Sequence, residues 1–271
     1  MATTRVIVRG AVVPDLSPAL TTLLSSVPLP DGAAITTAPV DYELDGTALQ
    51  GFLAVDTASE QRRPGVLVIH DWLGVGDYVQ VRSQMLARLG YVALAPDIYG
   101  VDLRPSMKQA SAVAGRFYAD APLVRSRAAA GLAQLRDQPL VDPARIAVIG
   151  YCFGGFAALE LARSGADIAA VVTFHGALKT DRPQDAAKIR GKVLVLSGAA
   201  DPVVPDQQIR DFENAMRAAP EVDWQLVHYS GAMHAFTQPD VNAPDRGAGY
   251  QESADRRSWA AMLALFDEIF G

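Results

Sequence analysis

A single cysteine lies where a nucleophile would be expected. Cys152 is the only cysteine of the chain, and it is centred in the run GYCFG (150–154). The apolar run RIAVIGY precedes this turn, and the helix-patterned run GGFAALELARSG follows it. A sharp strand-to-helix turn needs small flanking residues, because larger side chains would collide with neighbouring backbone. The pattern predicts that Cys152 is a nucleophile held at a helix N-terminus, where the thiolate is favoured.

An acid and a base follow this cysteine in the order that nucleophilic catalysis uses. Asp201 comes just after the apolar run KVLVLSG, and His234 comes just after the next such run, WQLVHYSG. The histidine would carry the proton and the aspartate would orient the imidazole. Plainer interpretations exist: Cys152 as a small packed hydrophobe and Asp201 as a helix cap. We favour the triad, because all three residues fall in order at the ends of predicted strands.

Apolar runs and helix-patterned runs alternate along most of the chain. The apolar runs are rich in Val and Ile and do not alternate with polar residues, which is typical of parallel strands buried on both faces. Asp45-Gly46, between two alternating stretches, predicts a hairpin. We therefore expect an α/β-hydrolase fold: a doubly wound, mostly parallel sheet of about eight strands flanked by helices, without a large cap domain. The runs predicted as buried strands are 65–72, 91–97, 145–152, 168–176, 192–198 and 224–231.

The chain divides into a short lead-in and one domain. Residues 1–35 are expected to be an irregular N-terminal lead-in, since 9–35 are rich in Pro, Ser, Thr and Gly. Residues 36–271 are expected to form a single catalytic domain, and 99–124 a loop-rich wall of its cleft. His228 lies inside a predicted strand, so we interpret it as a packed core residue.

Composition limits the partners and the compartment. The formal net charge is −6, so neither nucleic acid nor an anionic membrane is an expected partner. One cysteine allows no intrachain disulfide and no cysteine-based metal site. The N-terminal residues lack the unbroken apolar run of a signal peptide, and no window matches a membrane span. We expect a cytoplasmic protein, either a monomer or a small homo-oligomer.

An oxyanion hole would complete the predicted site. Backbone N–H groups must point at the charge that develops on the substrate oxygen. We expect one from Phe153, directly after the nucleophile, and one from Trp72, in the turn after the run GVLVIH.

In combination, these motifs resemble the dienelactone hydrolase family. The resemblance is carried by GYCFGG, GAADPVVP, GAMHAF, VIHDWLG and APDIYG, and it extends over roughly residues 35–270. It implies a Cys-His-Asp triad, no metal and no organic cofactor. The family's namesake opens the lactone ring of 4-carboxymethylenebut-2-en-4-olide.

Two positions depart from the family's pattern. The namesake enzymes have a glutamate where this chain has Asp71, and by resemblance Asp71 would modulate the proton of Cys152. They also have an arginine, which grips the substrate carboxylate, where this chain has Gln238. A neutral amide does not replace a charge-assisted grip, worth roughly 1.5–3 kcal/mol per hydrogen bond. Further candidates for substrate contact are Tyr151, Lys108, Arg116 and Arg104.

The leading hypothesis is hydrolysis of a small lactone or carboxylic ester through a thioester. A broad carboxylesterase or thioesterase is the nearest alternative. A non-catalytic protein that binds a small ligand in the same cleft belongs to another class, and so does a thiol redox sensor built on Cys152. Turnover of esters, lactones and thioesters separates these alternatives.

Overall fold

An eight-stranded sheet forms the centre of the structure, a computed structural model that describes residues 16–271. Its strand order is β1-β2-β4-β3-β5-β6-β7-β8. The first hairpin turns at Asp45-Gly46, where both residues have positive φ as a type I′ turn requires. The mostly parallel sheet expected from the sequence is confirmed. The strands are β1 (Ile35–Leu44), β2 (Thr47–Asp56), β3 (Arg63–Ile69), β4 (Val92–Ala95), β5 (Val141–Tyr151), β6 (Ala170–Phe174), β7 (Lys192–Gly198) and β8 (Trp224–Tyr229).

Strand direction changes only at the start of the sheet. The pairs β1–β2 and β2–β4 are antiparallel, and every other pair is parallel. The parallel strands therefore place their carboxyl ends on one edge, where open α/β sheets bind ligands. The prediction that His228 is a core residue is wrong: β8 is an edge strand, and His228 is exposed on it.

Helices cover both faces of the sheet. On one face, α2 and α7 pack on the apolar side chains of the central strands, and α3 to α6 pack on the other face. The segment between β4 and β5 contributes only α3 and α4, so it forms no separate cap. The helices are α1 (Pro18–Ser25), α2 (Asp77–Arg88), α3 (Ala110–Tyr118), α4 (Ala121–Arg136), α5 (Phe153–Arg163), α6 (Asp206–Arg217) and α7 (Glu252–Phe270).

The lead-in was expected to be irregular, but part of it is helical. Helix α1 lies within it, begun by a Ser17 side chain that accepts the N–H of Leu20, with Pro18 in the first turn. Leu20 and Leu23 pack beside α2. The part of the lead-in before residue 16 lies outside the described residues. None of the helices in 16–271 combines the length and apolar character that crossing a bilayer requires.

Candidate active site

The turn between β5 and α5 holds Cys152 in a backbone conformation that few residues adopt. Cys152 has φ 54° and ψ −115°. A Cβ on Gly150 would lie 2.0 Å from the carbonyl oxygen of Gly154, and one on Gly154 would lie 2.1 Å from that of Ile69. Only glycine fits at both positions, as the sequence pattern predicted. Strain of this kind at a non-glycine residue marks a site where side-chain direction matters.

Cys152, His234 and Asp201 lie in one hydrogen-bonded line. The Sγ of Cys152 is 3.0 Å from Nε2 of His234, and Nδ1 of His234 is 2.9 Å from Oδ2 of Asp201. The other oxygen of Asp201 accepts the N–H of Val203 at 2.8 Å, which fixes the carboxylate within its loop. Three residues separated along the chain are thus brought together at the carboxyl edge of the sheet.

The charges around His234 favour its protonated form. Burial alone lowers the pKa of His234, but the negative charge of Cys152 and the Asp201 carboxylate outweigh it and raise the pKa to about 10. A protonated His234 beside the Cys152 sulfur is placed to stabilise a thiolate and to pass a proton to a leaving group.

The backbone N–H groups of Phe153 and Trp72 have no acceptor within residues 16–271. Phe153 occupies the first position of α5, so its N–H lies outside the helical ladder. The N–H of Trp72 is also unpaired there, while its carbonyl accepts the Tyr99 hydroxyl at 3.3 Å. Both groups are available as the donors that an oxyanion hole needs.

Asp71 is bonded to Gln238 rather than to Cys152. Its Oδ2 accepts the Gln238 side-chain amide at 2.6 Å, and its Oδ1 accepts the N–H of Leu73 at 2.8 Å. Asp71 is 6% exposed, and burial raises its pKa to about 6. The pair links the turn that carries Trp72 to the loop that carries His234.

The other predicted substrate contacts are not part of this constellation. The prediction for Tyr151 is wrong: its ring is fully buried on the α2 and α7 side of the sheet, stacked on Phe174. Lys108 and Arg116 are exposed, and no hydrogen bond or ion pair found in 16–271 joins either to the triad. Arg104 is paired with Asp97 at 2.8 Å.

Sequence reasoning missed several residues near the triad. Tyr118, at the end of α3, packs edge-to-face on Phe153; burial first, then the charges of Cys152 and Asp201, raises its pKa. His175 has its ring 5.2 Å from that of His234. His175 lies at the end of the run predicted as strand 168–176, which places it at the border of the cleft, but it does not follow an acid in the order that a triad base requires.

No group of three His, Cys, Asp or Glu side chains between residues 16 and 271 is arranged to hold a metal ion.

A family model and a curated relative both match this chain. The model of the dienelactone hydrolase family matches residues 49–270. This chain belongs to the dienelactone hydrolase family. It is therefore a hydrolase, as the sequence predicted. A relative from Salmonella typhimurium named "Putative carboxymethylenebutenolidase" is 28% identical over 278 residues, covering 95% of each chain.

Two solved structures have a higher sequence identity to this chain than that relative has. One is a dienelactone hydrolase-like promiscuous phosphotriesterase from metagenomic libraries, 38% identical with a TM-score of 0.83. The other, m3DLH, is 40% identical with a TM-score of 0.84. Each comparison covers 88% of this chain and 100% of the other.

Proposed function

We propose that the protein hydrolyses a small lactone or carboxylic ester with Cys152 as the nucleophile. The observation that carries the proposal is the line of contacts from Sγ of Cys152 through His234 to Asp201, at 3.0 Å and 2.9 Å. The family of the chain and the name of its Salmonella relative support an ester or lactone substrate.

The reaction follows from the positions of these groups. The Cys152 thiolate attacks the carbonyl carbon, and the oxygen gains negative charge between the N–H groups of Phe153 and Trp72. When the C–O bond breaks, the leaving alkoxide takes the proton of His234 and a thioester remains on Cys152. Water then loses a proton to His234 as it attacks the thioester, and the acid leaves as the C–S bond breaks and the Cys152 thiolate is restored beside the protonated His234.

The surroundings of Asp71 favour a substrate without a carboxylate. The Gln238 amide is engaged by Asp71, whose carboxylate is buried. A second carboxylate in this place would meet negative charge once Asp71 is ionised. Within residues 16–271 no Lys or Arg is hydrogen-bonded to Asp71 or Gln238 to balance it, and His234 acts on Asp71 only through its charge. A broad carboxylesterase acting on neutral esters is therefore the second candidate.

Replacing the nucleophile tests the proposal. Cys152→Ala is expected to abolish hydrolysis of an aryl ester, because no other thiol exists in the chain. Cleavage is measured by release of the phenol, and a thioester on Cys152 by the intact mass of enzyme quenched during turnover. Wild-type rates in Cys152→Ala would refute the mechanism.

A substrate panel separates the two candidates. It contains a neutral lactone, a lactone bearing a carboxylate, an aryl ester, an acyl thioester and an aryl phosphotriester, the last because of the phosphotriesterase relative. We expect neutral lactones and esters to have the highest kcat/KM. A preference for the carboxylate-bearing lactone would contradict the argument from Asp71.

A further inference from the structure

Behind the loop of His234, a line of hydrogen bonds runs from a buried arginine to a buried histidine. Nε of Arg82 donates to the hydroxyl of Tyr78 at 3.2 Å. That hydroxyl is 2.6 Å from Oγ1 of Thr237, which is 2.7 Å from Nε2 of His175. The line joins α2, the loop after His234 and the end of β6. None of these contacts belongs to the triad itself.

Arg82 determines the direction of every proton in this line. A guanidinium only donates, so the Tyr78 hydroxyl accepts from it and has its own proton left to give. The Tyr78 hydroxyl therefore donates its hydrogen bond to Oγ1 of Thr237, and the Thr237 hydroxyl donates to Nε2 of His175. Any other order leaves one hydroxyl proton without an acceptor within residues 16–271 in addition to the unpaired Nδ1 of His175, so two buried groups are unsatisfied instead of one.

The arginine is itself fixed in place. Arg82 is 1% exposed and forms an ion pair with Asp255 of α7. Its Nη2 also donates to the backbone carbonyl of Thr237 at 2.8 Å. The guanidinium lies 5.5 Å from the ring centre of Tyr151 and 5.2 Å from that of Trp259. Held on all these sides, it does not reorient to change the direction of the line.

His175 receives the end of the line and touches the catalytic ring. With Nε2 accepting, the proton of His175 resides on Nδ1, which has no hydrogen-bond partner within residues 16–271. The backbone of His175 itself favours a proton on the ring. The rings of His175 and His234 meet edge-to-face, 5.2 Å apart at 71°. His175 has φ 42°, a strained value for a non-glycine residue. Burial and the charges of His234 and Arg82 lower its pKa, so it stays neutral beside the His234 imidazolium.

We propose that Arg82 acts through two hydroxyl groups to fix the tautomer of His175. In that tautomer His175 is a positioning residue that holds the ring of His234 in line with Cys152. This role rests on the proposed function, in which His234 carries the proton. The line lies behind the ring of His234, so it acts on the proton transfer and leaves substrate binding unchanged.

Histidine NMR tests the tautomer without any substrate. The chain has four histidines, so two-bond nitrogen–proton spectra of the ¹⁵N-histidine protein resolve each ring, and His175→Gln assigns its signals. We expect the wild-type protein to show His175 protonated on Nδ1 only. Thr237→Val is expected to release His175 into a mixture of tautomers, and Thr237→Ser to restore the wild-type pattern. A wild-type His175 protonated on Nε2 overturns the proposal.

Kinetics tests whether the tautomer matters. Thr237→Val is expected to lower kcat for an aryl ester roughly tenfold with little change in KM, because a small displacement of His234 slows proton transfer. Thr237→Ser is expected to recover most of kcat, and Tyr78→Phe to lower it in the same way. Thr36→Val, in the edge strand β1, is the matched control. Equal kcat values for Thr237→Val and Thr36→Val overturn the positioning role. The NMR experiment reports the tautomer of His175 without any substrate. Its outcome therefore does not depend on whether the protein hydrolyses esters, which Cys152→Ala tests.

Discussion

The carboxyl of Asp71 makes stability depend on pH. In the folded protein burial raises its pKa to about 6, whereas an exposed aspartate titrates near 4. Between these values the folded state holds a proton that the unfolded chain has released. The free energy of unfolding therefore falls as pH rises from about 4 to about 6, by roughly 3 kcal/mol for a two-unit shift.

Asp71→Asn is expected to remove this dependence. An amide does not ionise, so between about pH 4.5 and about pH 7.5 the stability of wild type should fall relative to the variant by roughly 2–3 kcal/mol. Urea denaturation at a series of pH values measures the difference. Asp102→Asn, at an exposed position before α3, controls for the change of net charge. Parallel pH profiles for wild type and Asp71→Asn would show that Asp71 is not buried as an acid.

Among single residues, the sequence predicted those that belong to a local motif. It missed those that approach the triad only through the packing of distant segments. Cys152 and its two partners were found because strand ends and chain order identify them. Thr237 and His175 meet only after β6 and the loop of His234 are placed side by side, and no local pattern records that contact. Tyr151 was misplaced because its position beside the nucleophile in the chain does not tell which face of the sheet it enters.

The turn between β5 and α5 is the element on which the position of Cys152 depends most. A Cβ on Gly154 would lie 2.1 Å from the carbonyl oxygen of Ile69 and 2.5 Å from that of His70. Because both obstacles are backbone, α5 would have to move away from β3, and Cys152 would move with it.

Gly154→Ala is therefore expected to cost about 3 kcal/mol of stability and about 100-fold in aryl ester hydrolysis. Urea denaturation and the ester assay measure the two effects. Gly115→Ala is the matched control: it lies within α3 with nothing within 4 Å of the added Cβ, so a gain of about 0.5–1 kcal/mol is expected. If Gly154→Ala kept wild-type activity, the close contact of α5 with β3 would not be what holds Cys152.

The strands were predicted more completely than their order. Each buried apolar run became a strand, because Val and Ile without polar alternation fit a sheet covered on both faces. Their sideways order depends on how crossovers pack, which the runs do not encode. His228 shows the consequence: its strand was predicted, but its exposure follows from the edge position of β8.

At the scale of the whole molecule, helix α1 of the lead-in forms an apolar cluster with α2, apart from the two faces of the sheet. Leu20, Leu23 and Val27 pack with Val81 and Met85 of α2, and Tyr78 and Trp259 lie partly against them. Nη1 of Arg88 adds bonds to the carbonyls of Leu24 and Val27, both at 2.8 Å. The described part of the lead-in thus belongs to the folded unit. It packs against Tyr78 and Trp259, two residues that contact Arg82. Ser17 followed by Pro18 is a helix-start signal that the composition of 9–35 concealed.

Two leucines near this helix give a direct measure of that packing. Leu23 is 7% exposed in α1, whereas Leu29 is 53% exposed just beyond it. Leu23→Ala is expected to lower the free energy of unfolding by about 2–4 kcal/mol, because it leaves a cavity against Val81 and Met85. Leu29→Ala removes the same atoms from a solvent-exposed position, so a change within about 0.5 kcal/mol is expected. Urea denaturation of both variants beside wild type measures the difference, and equal losses would mean that α1 adds nothing to the fold.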